Sequence, residues 1–212
     1  MRRRNDLQAG ITLVELLVVM VIMTIVSTML IGVWFALTNA SAFSSNSSVQ
    51  QDNAREAVAR MSREIRDAQA PADVNVSEFV MAQPNEIRLY TTFNDANADD
   101  PLTIPRLVRF FYEETDAATH SGAIYREIST GGAWGSRLLL VKNVVNQAQS
   151  PTRPVFTYTA FGDSGVYQSD SLADPSQIVD VTITALVDLN PGHSPAYVTL
   201  QTTVQPRNTL QL

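Results

Sequence analysis

The stretch that decides the fold of this chain is G-I-T-L-V-E-L-L-V-V-M-V-I-M-T-I-V-S-T-M-L-I-G-V-W-F-A-L, from Gly10 to Leu37. From Leu16 to Leu37 it holds 22 residues that are apolar, Gly, Ser or Thr, with no proline and no charge. At a rise of about 1.5 Å per residue, such a helix is roughly 33 Å long, enough to cross a hydrocarbon core of about 30 Å. The sequence therefore predicts one membrane-spanning helix near the N-terminus.

Glu15 is the one charged residue of this stretch, and the basic leader M-R-R-R-N-D-L-Q-A precedes it. A carboxylate costs about 2.5–3.5 kcal/mol at the centre of a bilayer, so an acid in a membrane span normally has a partner. We therefore expect Glu15 to serve a defined function.

The run from Gly10 through Ile11 to Glu15 resembles the signal of type IV prepilins. In that family a basic leader ends in Gly, the next residue is usually Phe, and Glu lies five places after the cleavage site. The resemblance implies that a prepilin peptidase cleaves between Gly10 and Ile11 and methylates the new amine of Ile11. It also implies that Glu15 neutralises the amine of a neighbouring subunit during filament assembly. Ile11 in place of Phe is a departure that bears on the subtype.

Two other interpretations of the N-terminus stay open. Ala40-Ser41-Ala42 has the form of a signal-peptidase site, which would leave a secreted domain beginning at Phe43. The apolar run is longer than the 7–15 residues of an ordinary signal peptide, which argues against that interpretation. The chain could also be a plain membrane anchor with an incidental Glu15.

Charge predicts the orientation of the span and limits the function. Arg2, Arg3 and Arg4 precede it and residues 16–51 carry no charge, so the N-terminus is expected in the cytoplasm and the C-terminal part outside. Without residues 1–10 the chain has 12 basic and 20 acidic residues, which argues against a broad nucleic-acid-binding surface. It has no Cys, which excludes disulfides, thiol catalysis and Cys-ligated metals.

An amphipathic helix is predicted from Val49 to Ala70, ended by Pro71. Its apolar stripe has spacings of 4, 3, 4 and 3 and consists of Ala54, Val58, Met61, Ile65 and Ala68. We expect this stripe to pack on a sheet. The Ser-rich residues 38–48 are poor helix formers, and a kink or melted turn is expected there.

Alternation with a period of two predicts strands after Pro71. The predicted strands are residues 87–93, 107–112, 123–129, 137–142, 155–161, 178–188 and 196–205, with a turn at Asn190-Pro191-Gly192. In the strand 178–188, Val179, Val181, Ile183, Ala185 and Val187 are expected to share one face. The predicted fold class is α+β and pilin-like, with a long N-terminal helix packed on an antiparallel β-sheet. The predicted segments are a leader (1–10), a transmembrane and filament-core helix (11–37), its amphipathic continuation (38–70) and an exported β-rich domain (71–212).

Three further motifs carry weaker signals. Asp95, Asn97 and Asp99 have the spacing of a calcium loop, but Asp100 and Arg106 depart from the EF-hand pattern, so a calcium loop of another type and a solvated polar turn stay open. The segment 162–165, G-D-S-G, matches a tetrapeptide of serine proteases. The residues around His120 do not match the protease pattern, and a turn between strands explains the G-D-S-G segment. Glu113, Glu114 and Asp116 are interpreted as surface charge.

The sequence thus predicts a filament subunit without enzymatic activity and without a cofactor, unless calcium binds. Its C-terminal strand pair resembles the end of larger minor pilins and type II secretion pseudopilins, the J-like and PilW-like groups. That resemblance implies a tip or initiation role in a type IV pilus or pseudopilus. The implied partners are the prepilin peptidase and methyltransferase, other minor and major pilins or pseudopilins, the inner-membrane assembly platform and the membrane. The alternative function is a membrane-anchored or secreted adhesin, a ligand-binding β domain.

Overall fold

The computed structural model describes residues 12–72, 76–94, 102, 104–162, 165–189 and 197–207. The chain divides into two compact units, Met1–Asn46 and Ser47–Leu212. The elements in chain order are a helix α1 (Leu13–Arg66), strands β1 (Phe79–Gln83), β2 (Glu86–Thr91), β3 (Arg106–Asp116), β4 (Ser121–Thr130), β5 (Ala133–Trp134), β6 (Leu138–Val144), β7 (Phe156–Gly162) and β8 (Gly165–Ser169), a short 3-10 helix (Pro175–Gln177), and strands β9 (Ile178–Asp188) and β10 (Tyr197–Val204).

The first unit is helical from Leu13 onward and buries none of its described side chains. Its large apolar residues are between 44% and 81% exposed. A surface of this kind is unstable in water, because hydrophobic free energy grows with the exposed apolar area. The first unit therefore needs an apolar environment around it.

The Ser-rich residues 38–48 remain helical, so the expected melted turn is absent. Ser and Asn lower helix propensity by only a few tenths of a kcal/mol each, and a helix that is already nucleated propagates through such residues. The boundary between the two units lies within this stretch, at Asn46.

In the second unit the predicted apolar stripe of α1 is confirmed. Met61 and Ile65 are fully buried, and Ala54, Val58 and Ala68 are also in the core. They pack with residues on one face of the sheet, among them Ile87, Leu89, Val108, Phe110 and Ile124. The predicted α+β layout, with a long N-terminal helix against an antiparallel sheet, is confirmed.

Helix α1 ends at Arg66, four residues before the predicted end at Ala70. The Gln69 N–H donates to the carbonyl of Tyr90 (2.9 Å), and Ala68 forms a β-bridge with Thr91. These hydrogen bonds to the end of β2 satisfy the backbone outside the helix. The helix therefore ends before Pro71 could stop it.

All strand pairs of the sheet are antiparallel. The order is β1-β2-β3-β4-β6-β9-β7-β8, with β10 paired to β9 and β5 to β4. The N–H groups of Val155 and Phe156 both donate to the carbonyl of Pro84 at 2.9 Å, which brings the start of β7 to the β1–β2 turn. The sheet therefore curls around its core.

The seven predicted strands are all present, and β9 has the predicted bounds. Val179 was assigned to the wrong face, because Ile178 is buried and Val179 only half-buried. The register against β7 shifts at this point, where Thr159 pairs with Asp180 but Ala160 pairs with Ile178. A β-bulge inserts one extra residue and reverses the alternation beyond it.

Three strands were not predicted: β1, β5 and β8. In β1 a bulge between Phe79 and Met81 breaks the period of two, so that Phe79 and Ala82 are the buried residues. Strand β5 has two residues, and β8 buries none of its five. A pattern of alternating burial could not reveal them.

Candidate functional site

The first turn of α1 is held by a reciprocal pair of side chains, Thr12 and Glu15. The N–H and the hydroxyl of Thr12 both donate to Glu15 Oε2 at 3.0 Å, and the Glu15 N–H donates to Thr12 Oγ1 at 3.3 Å. Thr12 is thus the N-cap and Glu15 the third helical residue of a capping box. This arrangement satisfies N–H groups that the first turn of a helix otherwise leaves without partners.

The capping box engages the Glu15 carboxylate within a single chain. Within the single chain it already accepts two hydrogen bonds, both through Oε2. Among the hydrogen bonds of the described residues, Oε1 makes none. One carboxylate oxygen therefore fixes the helix start.

Gly10 and Ile11, the predicted cleavage site, lie outside the described residues, whose first member is Thr12. The predicted site is therefore adjacent in sequence to the capping box. Cleavage there would place the new amine one residue before the N-cap.

Several polar side chains of the apolar helix bond to their own backbone. The hydroxyls of Thr24, Thr28 and Thr38 donate to the carbonyls of Met20, Ile25 and Trp34 at 2.7, 2.8 and 3.0 Å. Such bonds lower the cost of placing a hydroxyl in lipid. By length and hydropathy, α1 qualifies as a candidate membrane-spanning helix.

The family model that matches the chain is the prokaryotic N-terminal methylation motif, at residues 5–31. This segment is a type IV prepilin-like signal. It includes Gly10, Ile11 and Glu15, and the helix starts within it. Together the prepilin-like signal and the exposed apolar helix fit a membrane-anchored pilin precursor, a structural subunit of the pilin or pseudopilin kind. A search of curated proteins finds no match to this chain.

The other candidate sites from the sequence have simpler explanations or fall outside the described structure. Asp95, Asn97 and Asp99 lie outside the described residues. Within the described part of the chain, no group of three or more His, Asp or Glu side chains is placed to hold a metal ion.

The two glycines of the G-D-S-G segment lie at facing ends of strands β7 and β8. Gly162 pairs with Gly165 across β7 and β8, and Gly165 has a φ of +105°, which favours glycine. The two residues between them are outside the described structure. His120 lies in the β3–β4 turn, where its Nδ1 is 3.0 Å from Glu114 Oε1.

The acidic end of β3 consists of paired surface charges. Glu113 contacts Arg137, Glu114 contacts His120, and Asp116 accepts from the N–H of Ala118 and from a threonine hydroxyl. These last two hydrogen bonds lower the pKa of Asp116, the side-chain bond being the larger cause. The three carboxylates serve separate partners, as their surface assignment predicted.

Sequence reasoning missed a buried ion pair between α1 and the sheet. Glu64 is fully buried, and Arg126 Nε on β4 lies 2.8 Å from its Oε1 and 2.9 Å from its Oε2. Arg60, one turn earlier in α1, donates to Oε1 at 3.2 Å. Burial raises the pKa of Glu64, and the two guanidinium groups oppose this shift.

A signal for this pair was present in the sequence. Glu64 continues the buried spacing of Ala57 and Met61 along the helix. Arg126 lies two residues from Ile124 and two from Ile128, so the three side chains share one face of the strand. A charged residue at a core position of a helix, together with an opposite charge at a core position of a strand, predicts that the two meet.

The outer face of β2, β3 and β4 carries a second network, in which arginines lie over aromatic rings. Arg109 lies 4.5 Å from the ring centre of Trp134 and 4.6 Å from that of Phe111. Its guanidinium also pairs with Glu127 at 2.6 Å, and Arg137 binds the other oxygen of Glu127 at 3.0 Å. We refer to this set as the arginine–aromatic stack. It covers the sheet face opposite the helix.

Proposed function

We propose that this protein is a minor pilin or pseudopilin that assembles through its N-terminal helix into a type IV pilus or a type II secretion pseudopilus. The observation that carries the proposal is the prepilin-like signal at residues 5–31. From Leu13 to Leu37, the helix that starts inside this signal exposes all of its large apolar residues. Its partners are other pilins or pseudopilins and the inner-membrane assembly platform, and its position is in a tip or initiation complex.

The proposal assigns residues 1–10 as the cytoplasmic leader and residues 11–37 as the transmembrane and filament-core helix. Residues 38–70 continue it, and residues 71–212 form the exported domain. The peptidase cuts between Gly10 and Ile11 and methylates the Ile11 amine. The basic leader and the uncharged span support this orientation.

Glu15 has a specific role in this proposal. Its Oε2 is engaged by Thr12, and Oε1 accepts the amine of Ile11 from a neighbouring subunit. In lipid an amine and a carboxylate lower each other's desolvation cost when they pair. Since the rest of the filament-core helix carries no charge, this pair selects one axial stagger between neighbours.

Processing is tested by intact-mass analysis of full-length protein extracted from membranes of the native host. The wild type is expected to begin at Ile11 and to carry one added methyl group. Gly10→Phe is expected to keep its leader, because the peptidase needs a small residue there, whereas Ala9→Ser is a matched control that is cleaved normally. A mature chain that begins at Phe43, or a processed Gly10→Phe variant, would contradict the proposal and favour a secreted domain.

Assembly is tested by comparing sheared filaments with the membrane fraction. Glu15→Ala is expected to be cleaved and stable but to stay mainly in the membrane, and Glu15→Asp is expected to be intermediate. Thr24→Val serves as the control, because that hydroxyl bonds only within its own helix. Wild-type levels of Glu15→Ala in filaments would show that Glu15 does not direct assembly.

A further inference from the structure

The outer edge of β10 is a long sheet edge in the described structure that lacks the usual protection. Strand β10 runs for eight residues from Tyr197 to Val204 and pairs with β9 at every position without a bulge. No charged residue and no proline occurs between Tyr197 and Gln205. A straight, uncharged edge is a template for another strand, because its outward N–H and C=O groups have no partner.

Other edges of the same sheet are protected. Strand β1 has five residues, contains a bulge and is bridged at Ala82 by Leu172. Strand β8 also has five residues. Edges that are short, bulged or covered do not accept a further strand. The contrast singles out β10.

The side chains beneath β10 indicate that the core is unfinished at this edge. Val198, Leu200 and Thr202 point to the core side but remain half-buried, while Val204 at the end of the strand is buried. Leu200 packs against the buried cluster from its margin. One more strand beside β10 would place its own inward side chains over Val198 and Leu200.

We propose that the edge of β10 binds an extended, uncharged strand of a neighbouring filament subunit. The occupant adds to the sheet through backbone hydrogen bonds, and its alternate side chains cover the core-side residues of β10. The side chains of the occupant that cover Val198 and Leu200 are uncharged, since an ionised group on the core side would be desolvated without a counter-ion. This inference rests on the proposed function, because it takes the partner to be another subunit of the filament.

The first test uses two double variants of the full-length protein in the native host. Thr199→Lys with Gln201→Lys places charge on exposed positions of β10, and Thr119→Lys with Gln168→Lys makes the same replacements at exposed positions elsewhere. The β10 variant is expected to lower incorporation into sheared filaments about tenfold, from the loss of favourable cross-strand pairs. The control variant is expected to incorporate like the wild type.

The second test is independent of whether the lysine variant folds. A photo-crosslinking residue replaces Thr199 or, as the control, Thr119, and the adducts from assembled filaments are identified by mass spectrometry. The expected result is an adduct from position 199 alone, joined to a strand of a subunit that carries the same N-terminal motif.

Two outcomes overturn the inference: normal incorporation of the β10 variant, or adducts from position 199 that lack such a strand. If the proposed function itself were wrong, the result would differ, since the wild-type protein would then be absent from filaments altogether.

Discussion

The buried pair of Glu64 and Arg126 offers the sharpest test of how the helix is held on the sheet. Replacing Arg126 with Met keeps much of the side-chain volume but removes the cation that contacts both oxygens of Glu64. The carboxylate then stays buried with Arg60 as its partner, at 3.2 Å. We therefore expect a destabilisation of about 3 kcal/mol, near the lower end of the range for breaking a buried pair.

The double variant Glu64→Leu with Arg126→Leu distinguishes charge from packing. It removes both charges and their desolvation cost together, and the region around them is already apolar, with Met61 and Ile124 fully buried. Its stability is expected within about 1 kcal/mol of the wild type, or above it. The single changes Glu64→Leu and Arg126→Leu should therefore be strongly non-additive in a double-mutant cycle.

The assay is urea unfolding of the full-length protein in a mild detergent, followed by the fluorescence of Trp134 in a Trp34→Phe background. Trp134 lies over Arg88 and Arg109, so its signal reports the integrity of the sheet. With a slope of about 1–3 kcal/mol per molar urea, the Arg126→Met change should lower the midpoint by roughly 1–3 M. Additive effects of the two single changes would refute the idea that the ions stabilise each other.

Three further predictions concern packing and titration. Ile65→Ala should cost about 2–5 kcal/mol of unfolding free energy, since Ile65 is fully buried, and Ile65→Val about 0.5–1.5; equal urea midpoints for both would show that the docking face is misassigned. Gly122→Ala should destabilise the sheet by about 1–3 kcal/mol, because the new Cβ would clash with the backbone carbonyl oxygen of Glu113 and lie 2.6 Å from the Tyr112 ring. Gly32→Ala is the control, as a Cβ added there has nothing within 4 Å, and an equal loss in both variants would argue against the clash. Burial raises the pKa of Tyr112 to about 12, so its contribution to stability is complete below the unfolded value of about 10 and is lost as the pH rises towards 12. Alkaline unfolding should therefore be shallower in Tyr112→Phe, and identical pH profiles for the two proteins would contradict the shift.

The sequence predicted those parts of the fold that depend on regular periodicity. The stripe through Met61 and Ile65 and the bounds of β9 follow from periods of 3.6 and 2, because burial on one face imposes them. Val179 and β1 were not predicted correctly, since a bulge shifts the period and depends on the partner strand. The helix end at Arg66 depends likewise on hydrogen bonds to β2, which are distant in sequence.

In the candidate site, too, local patterns could be predicted from the sequence, whereas contacts between distant residues could not. The prepilin-like signal is a local pattern and could be found from residues 5–31 alone. The capping box is also local, as Thr12 and Glu15 are three residues apart, and a Thr followed three places later by Glu is a sequence pattern that indicates it. Glu64 and Arg126 are 62 residues apart, and each alone looked like an ordinary charged residue.

The arginine–aromatic stack has a consequence for the behaviour of the sheet at different ionic strengths. Exposed pairs such as Arg55 and Asp52, with side chains 59% and 75% exposed, are screened by salt. Glu127 is only 3% exposed and Arg109 18%, with aromatic rings above the guanidinium group, so dissolved ions hardly reach this pair. The contribution of the Arg109–Glu127 pair to the stability of the sheet should therefore change little between dilute buffer and the salt concentration of sea water.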